Sequence, residues 1–267
     1  MHATATTRRS LRQRRRRSKA TFFSVFGELM LTAGVLMFLY IAWQMWVGDI
    51  IMSAEGNREG QQITQKWEQD PPPPPPPLVN RDDEEDGVKW YEPPVLEHPG
   101  DAEHFAQMRI PRFGDDYNVV IAGGTSRART LDNGWLGVYK QSDMPGQVGN
   151  FSLAGHRTTW GYPLNRIDQL KLGDAIVVET PAGWYTYRFR NLQYVVPSQI
   201  DVLADVPQMP EVETGERYLT LTACSPLHSL AERIVGYAMF EGFQPRSEGA
   251  PDSLAPVDEV AQPALWR

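Results

Sequence analysis

At 267 residues the chain has room for one or two domains, and its formal net charge of −7 is unevenly spread. The first twenty residues hold eight of the 26 Lys and Arg and no acid, leaving 18 basic against 33 acidic residues, a net of −15, on the remainder. That balance speaks against a nucleic-acid-binding body, and a single cysteine rules out an intramolecular disulfide.

Residues 1–21 form the basic arm. Residues 22–47 are an apolar run with one charge, Glu28. As a helix the run reaches about 39 Å, against a hydrocarbon core of about 30 Å. We expect one transmembrane helix, retained because the run is too long for a signal peptide and lacks a small-residue cleavage site after it. Arginines before it and acids such as Asp49 and Glu55 after it put the N-terminus in the cytoplasm and the rest of the chain outside the cell, as a single-pass membrane protein. Residues 48–97 are polar and acidic, with seven prolines at 71–77 and the block Arg81-Asp82-Asp83-Glu84-Glu85-Asp86. Prolines extend at about 3.1 Å per residue and an acidic block buries little apolar surface, so a disordered Pro-rich linker is expected.

Globular patterning occupies residues 98–243. Strand candidates are 105–110, 118–121, 150–154, 175–180, 184–190, 194–196, 218–223 and 233–240, separated by turn signals such as Gly123-Gly124, Asp132-Asn133-Gly134 and Pro181-Ala182-Gly183. Leu164, Ile167 and Leu170 suit one short helix over 163–170. Eight strands with little helix predict a mainly β fold, a closed or nearly closed barrel. Residues 244–267, rich in Pro, Ala, Ser and Glu, are expected to be a disordered tail.

Cys224 ends the run Tyr218-Leu219-Thr220-Leu221-Thr222-Ala223-Cys224, whose alternation sets Thr220, Thr222 and Cys224 on one face and Leu221 and Ala223 on the other. A lone cysteine is commonly an inert small hydrophobe. Outside the membrane, however, an unpaired thiol is an oxidative liability unless it is used. A free thiol with a pKa near 8.5 is only slightly ionised at neutral pH, so nucleophilic use needs a partner. Of the five histidines, His156 stands apart because it too ends an apolar run, Phe151-Ser152-Leu153-Ala154-Gly155. Acyl chemistry also needs a fixed positive group for the oxyanion. Arg233, opening the strand after the cysteine, is the candidate, with Arg157 and Arg166 as rivals.

The segments Ala154-Gly155-His156-Arg157, Thr220-Leu221-Thr222-Ala223-Cys224 and Arg233-Ile234-Val235, in this order, resemble the signature of the sortases, cysteine transpeptidases of Gram-positive cell surfaces. The likeness extends through Met108-Arg109-Ile110-Pro111-Arg112, Leu131-Asp132-Asn133-Gly134 and 144–150, and covers roughly 105–240. It implies an eight-stranded sortase barrel with short helices, behind the transmembrane helix and linker. Cys224 would attack a threonine carbonyl in a sorting signal, His156 would exchange protons, and Arg233 would hold the oxyanion. Thr222, Thr158 and Trp160 would contact substrate. The partners implied are signal-bearing surface proteins and the amine of a peptidoglycan precursor; no metal or other cofactor is implied. The run Gly155-His156-Arg157-Thr158-Thr159-Trp160-Gly161 looks like the actinobacterial class E, which resembles enzymes favouring LAxTG-like over LPxTG-like signals. Ala223 and Trp160 depart from the residues often found at those positions. The rival readings are a cell-wall L,D-transpeptidase, whose cysteine normally sits in a Ser-His-Gly-Cys-like run, and a catalytically silent surface-binding barrel.

Overall fold

Residues 21–43, 47–79 and 89–255 are described by a computed structural model of the chain, in two units, Met1–Gln44 and Met45–Arg267. Residues 1–20 of the basic arm, the whole of the acidic block and residues 256–267 of the tail lie outside the described residues.

In the first unit α1 (Phe22–Ala42) buries none of its residues, and its large apolar side chains, Phe22, Leu31 and Phe38 among them, are exposed. At 21 residues it is long and apolar enough to cross a membrane. Its one polar hydroxyl near the middle, Thr32, donates back to the Glu28 carbonyl at 2.8 Å.

The second unit begins with a helix where none was expected. Residues 48–69, expected within the disordered linker, form α2 (Gly48–Gln69). Asp70 precedes the proline run, where helical geometry is disfavoured and the donors run out, and there the helix stops. α2 docks on the barrel mainly through polar and small residues, with Met52 and Trp67 too far apart along the helix to make an apolar stripe. Asn57 Oδ1 accepts from the Asn118 backbone N–H at 3.2 Å, and Glu59 accepts from Trp135 Nε1 at 3.1 Å. Thr64 Oγ1 lies 3.4 Å from both Gln107 Oε1 and Glu179 Oε2 and accepts from Asn118 Nδ2. Gly60 lets the backbones meet: a Cβ there would lie 2.2 Å from Asn118 O, whereas one at Gly56 meets nothing within 4 Å. Gly60→Val should therefore lower the Tm of the full chain in detergent micelles by about 3–8 °C through overpacking. Gly56→Ala should raise it by about 2–4 °C through helix propensity. Circular-dichroism melts read both signs, and equal effects at the two sites would reject the docking.

The barrel has eight strands: β1 (His104–Arg109), β2 (Val119–Gly123), β3 (Leu136–Val138), β4 (Gly149–Ala154), β5 (Ala175–Thr180), β6 (Gly183–Val195), β7 (Arg217–Ser225) and β8 (Glu232–Pro245). They close in the order β1-β2-β3-β4-β7-β8-β6-β5, with β2/β3 and β4/β7 parallel and every other pair antiparallel. Inward-facing Met108, Phe151, Leu153, Ile176, Tyr187 and Leu221 belong to one core. Burial pushes the Tyr187 phenol far above its ordinary pKa, and its oxygen accepts the Gly146 N–H at 2.9 Å.

Eight strands is the expected number, reached differently. The candidates 184–190 and 194–196 are one strand, β6, carried across irregular pairing with β8. β3, three residues long, was not among them. Leu164, Ile167 and Leu170 are buried as their spacing suggests, but around a single 3₁₀ turn, Ile167–Gln169. The described part of the tail is also ordered. β8 runs on to Pro245, Leu254 packs against Ala175, Val177 and Trp184, and Arg246 reaches Glu179 at 2.9 Å while covering the Trp184 ring at 4.7 Å. Glu179 is 1% exposed, and a buried carboxylate requires such a cation.

Candidate active site

Strand alternation builds the site. On β7, Leu219, Leu221 and Ala223 enter the core, so Thr220, Thr222 and Cys224 face outward, as their order in the sequence implies. On β8, Ile234 and Ala238 enter the core, and Arg233 takes the outer face with Val235 and Tyr237. Cys224 and Arg233 are direct partners in the antiparallel β7/β8 ladder, which sets their Cβ atoms about 5 Å apart on one face. Cys224 is partly exposed.

β4 lies on the other side of β7, parallel and in register, with Ala154 opposite Thr222. The Gly155 N–H donates to Thr222 O at 3.0 Å. Two residues past the last pair on each strand stand His156 and Cys224, brought to the same end of the barrel. Gly155 makes the passage: a Cβ there would meet Leu136 at 2.6 Å and Leu164 at 2.9 Å. His156 Nε2 lies 2.8 Å from Asp132 Oδ1, and the side chains are 14% and 22% exposed.

The competing arginines are committed elsewhere. Arg157 is buried, with Nη2 3.0 Å from Asp168 Oδ2 and Nη1 donating to Ser225 Oγ at 3.4 Å. Arg166 donates to the Phe113 and Arg112 carbonyls. Arg233 is held by its own turn, Nη1 donating to Leu230 O at 3.2 Å and Glu232 O at 2.9 Å.

Thr222 Oγ1 donates to Leu153 O at 3.1 Å, so its 2.9 Å contact with Tyr139 makes the phenol the donor. Burial raises the Tyr139 pKa, opposed by the Arg233 charge, and the ring stays a neutral donor beside the thiol. Thr158 and Trp160 stand on the loop leaving His156 rather than on the cysteine's sheet face, and Trp160 is 42% exposed. From Thr159 to Tyr162 that loop has four consecutive positive φ angles, 63°, 53°, 73° and 37°, three of them at residues other than glycine. Such backbone is costly and persists where its surroundings hold it.

Two residues of this group, Asp132 and Tyr139, were not legible as site residues. Asp132 reads as a turn signal, and Tyr139 follows the overlooked β3. Among the described residues no group of three or more His, Cys, Asp or Glu is gathered to hold a metal ion.

Comparison with known proteins places this geometry. A family model, the sortase domain, matches residues 108–241. The chain is 32% identical over 253 residues to sortase SrtE1 of Streptomyces coelicolor, an alignment covering 92% of this chain and 65% of that protein, so the chain spans under two thirds of this relative. The SrtA sortase from Actinomyces oris superposes with a TM-score of 0.58 at 36% identity, over 61% of this chain and 93% of that one. A crystal structure of sortase E1 from Streptomyces coelicolor with a tripeptide in its active site gives 0.54 at 36% identity, over 58% and 99%. With eight strands in a closed barrel and the family match across half its length, the chain belongs to the sortase family, with class E sortases of actinobacteria among its relatives.

Proposed function

We propose that the chain is a membrane-anchored cysteine transpeptidase that cleaves an LAxTG- or LPxTG-like sorting signal between Thr and Gly and transfers the protein to a peptidoglycan-precursor amine. The observation that carries this reading is the pairing of Cys224 with Arg233 across β7 and β8, with His156 delivered to the same end by the parallel strand β4.

Cys224, as thiolate, attacks the threonine carbonyl carbon and forms a C–S bond. The carbonyl oxygen takes the electron pair and is met by the Arg233 guanidinium, which carries charge without giving up a proton. As the intermediate collapses, the C–N bond to glycine breaks and the departing amine takes a proton from His156. An incoming amine then attacks the thioester, gives its proton to His156, and releases Cys224. Tyr139 and Thr222 line the approach to the thiol; Thr158 and Trp160 present the His156 loop to the rest of the signal. α1 is the anchor, with the N-terminus cytoplasmic and the barrel outside, where surface proteins and cell-wall precursors meet.

The test is cleavage of fluorogenic LAxTG and LPxTG peptides by the full chain in detergent micelles, with and without a triglycine acceptor. Scission between Thr and Gly, with a ligated product when the acceptor is added, is expected. Scission at another bond, or none with either peptide, would count against the proposal.

A further inference from the structure

The pairing of Asp132 with His156 does not follow from the nucleophile, base and oxyanion holder alone. Asp132 sits on the 3₁₀ turn Leu131–Asn133, which leads from β2 toward β3. Its Oδ1 lies 2.8 Å from His156 Nε2. A carboxylate offers lone pairs and no proton, so Nε2 is the donor in that contact whether the ring is neutral or charged. In the neutral ring the proton is therefore on Nε2, and Nδ1 is left as the one basic nitrogen.

Both partners are presented by braced backbone, unlike two long side chains meeting at a surface. On the acid's side, the Asp132 N–H donates to Arg127 O at 2.7 Å. Thr130 and Leu131 N–H both donate to Ser126 O, and Asn133 Nδ2 donates to Arg129 O at 2.9 Å. On the histidine's side, His156 O accepts from the Leu164 N–H at 3.0 Å, and Arg157 O accepts from Asn165 Nδ2 at 2.9 Å. The two loops also abut. Gly134, at φ 81°, backs onto the Trp160 carbonyl so closely that a Cβ would lie 3.1 Å from it. One further charge touches the carboxylate, Arg127 Nε at 3.6 Å from the same Oδ1, on a side chain 70% exposed.

We infer that Asp132 is a positioning residue, fixing His156 as the Nε2–H tautomer so that Nδ1 is the nitrogen that exchanges protons during acyl transfer. This rests on the function proposed above. An asparagine at 132 can accept from Nε2–H through its oxygen or donate to a bare Nε2 through its amide, so it no longer dictates the tautomer.

The experiment is nitrogen-15 NMR of histidine-labelled full chain in micelles, with the His156 signals assigned by their loss in His156→Ala, alongside peptide-cleavage kinetics. In the unsubstituted protein the neutral ring should show a protonated Nε2 and a pyridine-like Nδ1. Asp132→Asn should mix or invert the two and lower kcat by about 10- to 100-fold with KM nearly unchanged, the scale of losing an orienting partner. Asp132→Glu, which keeps the acceptor, should restore the signature and much of kcat. A neutral His156 protonated on Nδ1 in the unsubstituted chain, or full kcat in Asp132→Asn, would overturn the inference. A chain that cleaves neither peptide would defeat the functional reading while leaving the tautomer to decide the Asp132 contact.

Discussion

Cys224→Ala should reduce kcat/KM for the sorting peptide to background, a fall of about 10⁴- to 10⁶-fold, the range expected when a covalent nucleophile is removed and only binding and oxyanion stabilisation remain. The substitution removes one sulfur from a partly exposed side chain on the outer face of β7, while the inward residues Leu221 and Ala223 are untouched, so the fold should melt as before. The nearest hydroxyl on that face is already committed. Thr222, two residues back on the same face, gives its proton to Leu153 O and takes one from Tyr139. The check is steady-state cleavage with a melt of the same sample; retained activity would move the nucleophile elsewhere.

Arg233→Lys should lower kcat by about 10²- to 10³-fold, the usual cost of losing an oxyanion donor, although the charge is kept. The guanidinium has five N–H donors in a rigid fork. In Arg233 one nitrogen, Nη1, is spent on the carbonyls of Leu230 and Glu232, which anchors the group at the ladder position paired with Cys224. An ammonium on a flexible stem cannot hold both carbonyls and still meet a developing oxyanion in a fixed direction. The loss should therefore appear in kcat more than in KM, and Arg233→Ala should be no better than the lysine variant. Kinetics close to the unsubstituted enzyme would free Arg233 of the role. Arg157 would not inherit it, because that side chain is buried against Asp168 and Ser225.

The parts of the site that were legible in the sequence are those carried by strand alternation. Thr-Leu-Thr-Ala-Cys has a two-residue period that a half-buried strand must obey, so the outward face of Cys224 follows from local order alone. His156 and Arg233 were legible as strand-end residues, and the parallel β4/β7 register brings His156 level with the cysteine. Asp132 was opaque because its partner lies 24 residues away and its turn has the composition of any tight loop. β3 was opaque because three residues carry no period. α2 was hidden for a different reason: it docks chiefly through Asn57, Gly60 and Thr64, and Met52 and Trp67 are too sparse to give a hydrophobic period. In the tail a composition of Pro, Ser and Glu masks Arg246 and Leu254, two residues whose partners, Glu179 and Trp184, lie on β5 and β6.

Acylation of Cys224 is tested most directly by mass spectrometry of the full chain acid-quenched during turnover of an LAxTG or LPxTG peptide without an amine acceptor. A thioester adduct, equal to the peptide acyl group ending in threonine, is expected on the fragment containing Cys224, discharged into ligated product when triglycine is added. Cleavage between Thr and Gly with Cys224 never acylated, or an adduct on another residue, would contradict Cys224 as the nucleophile.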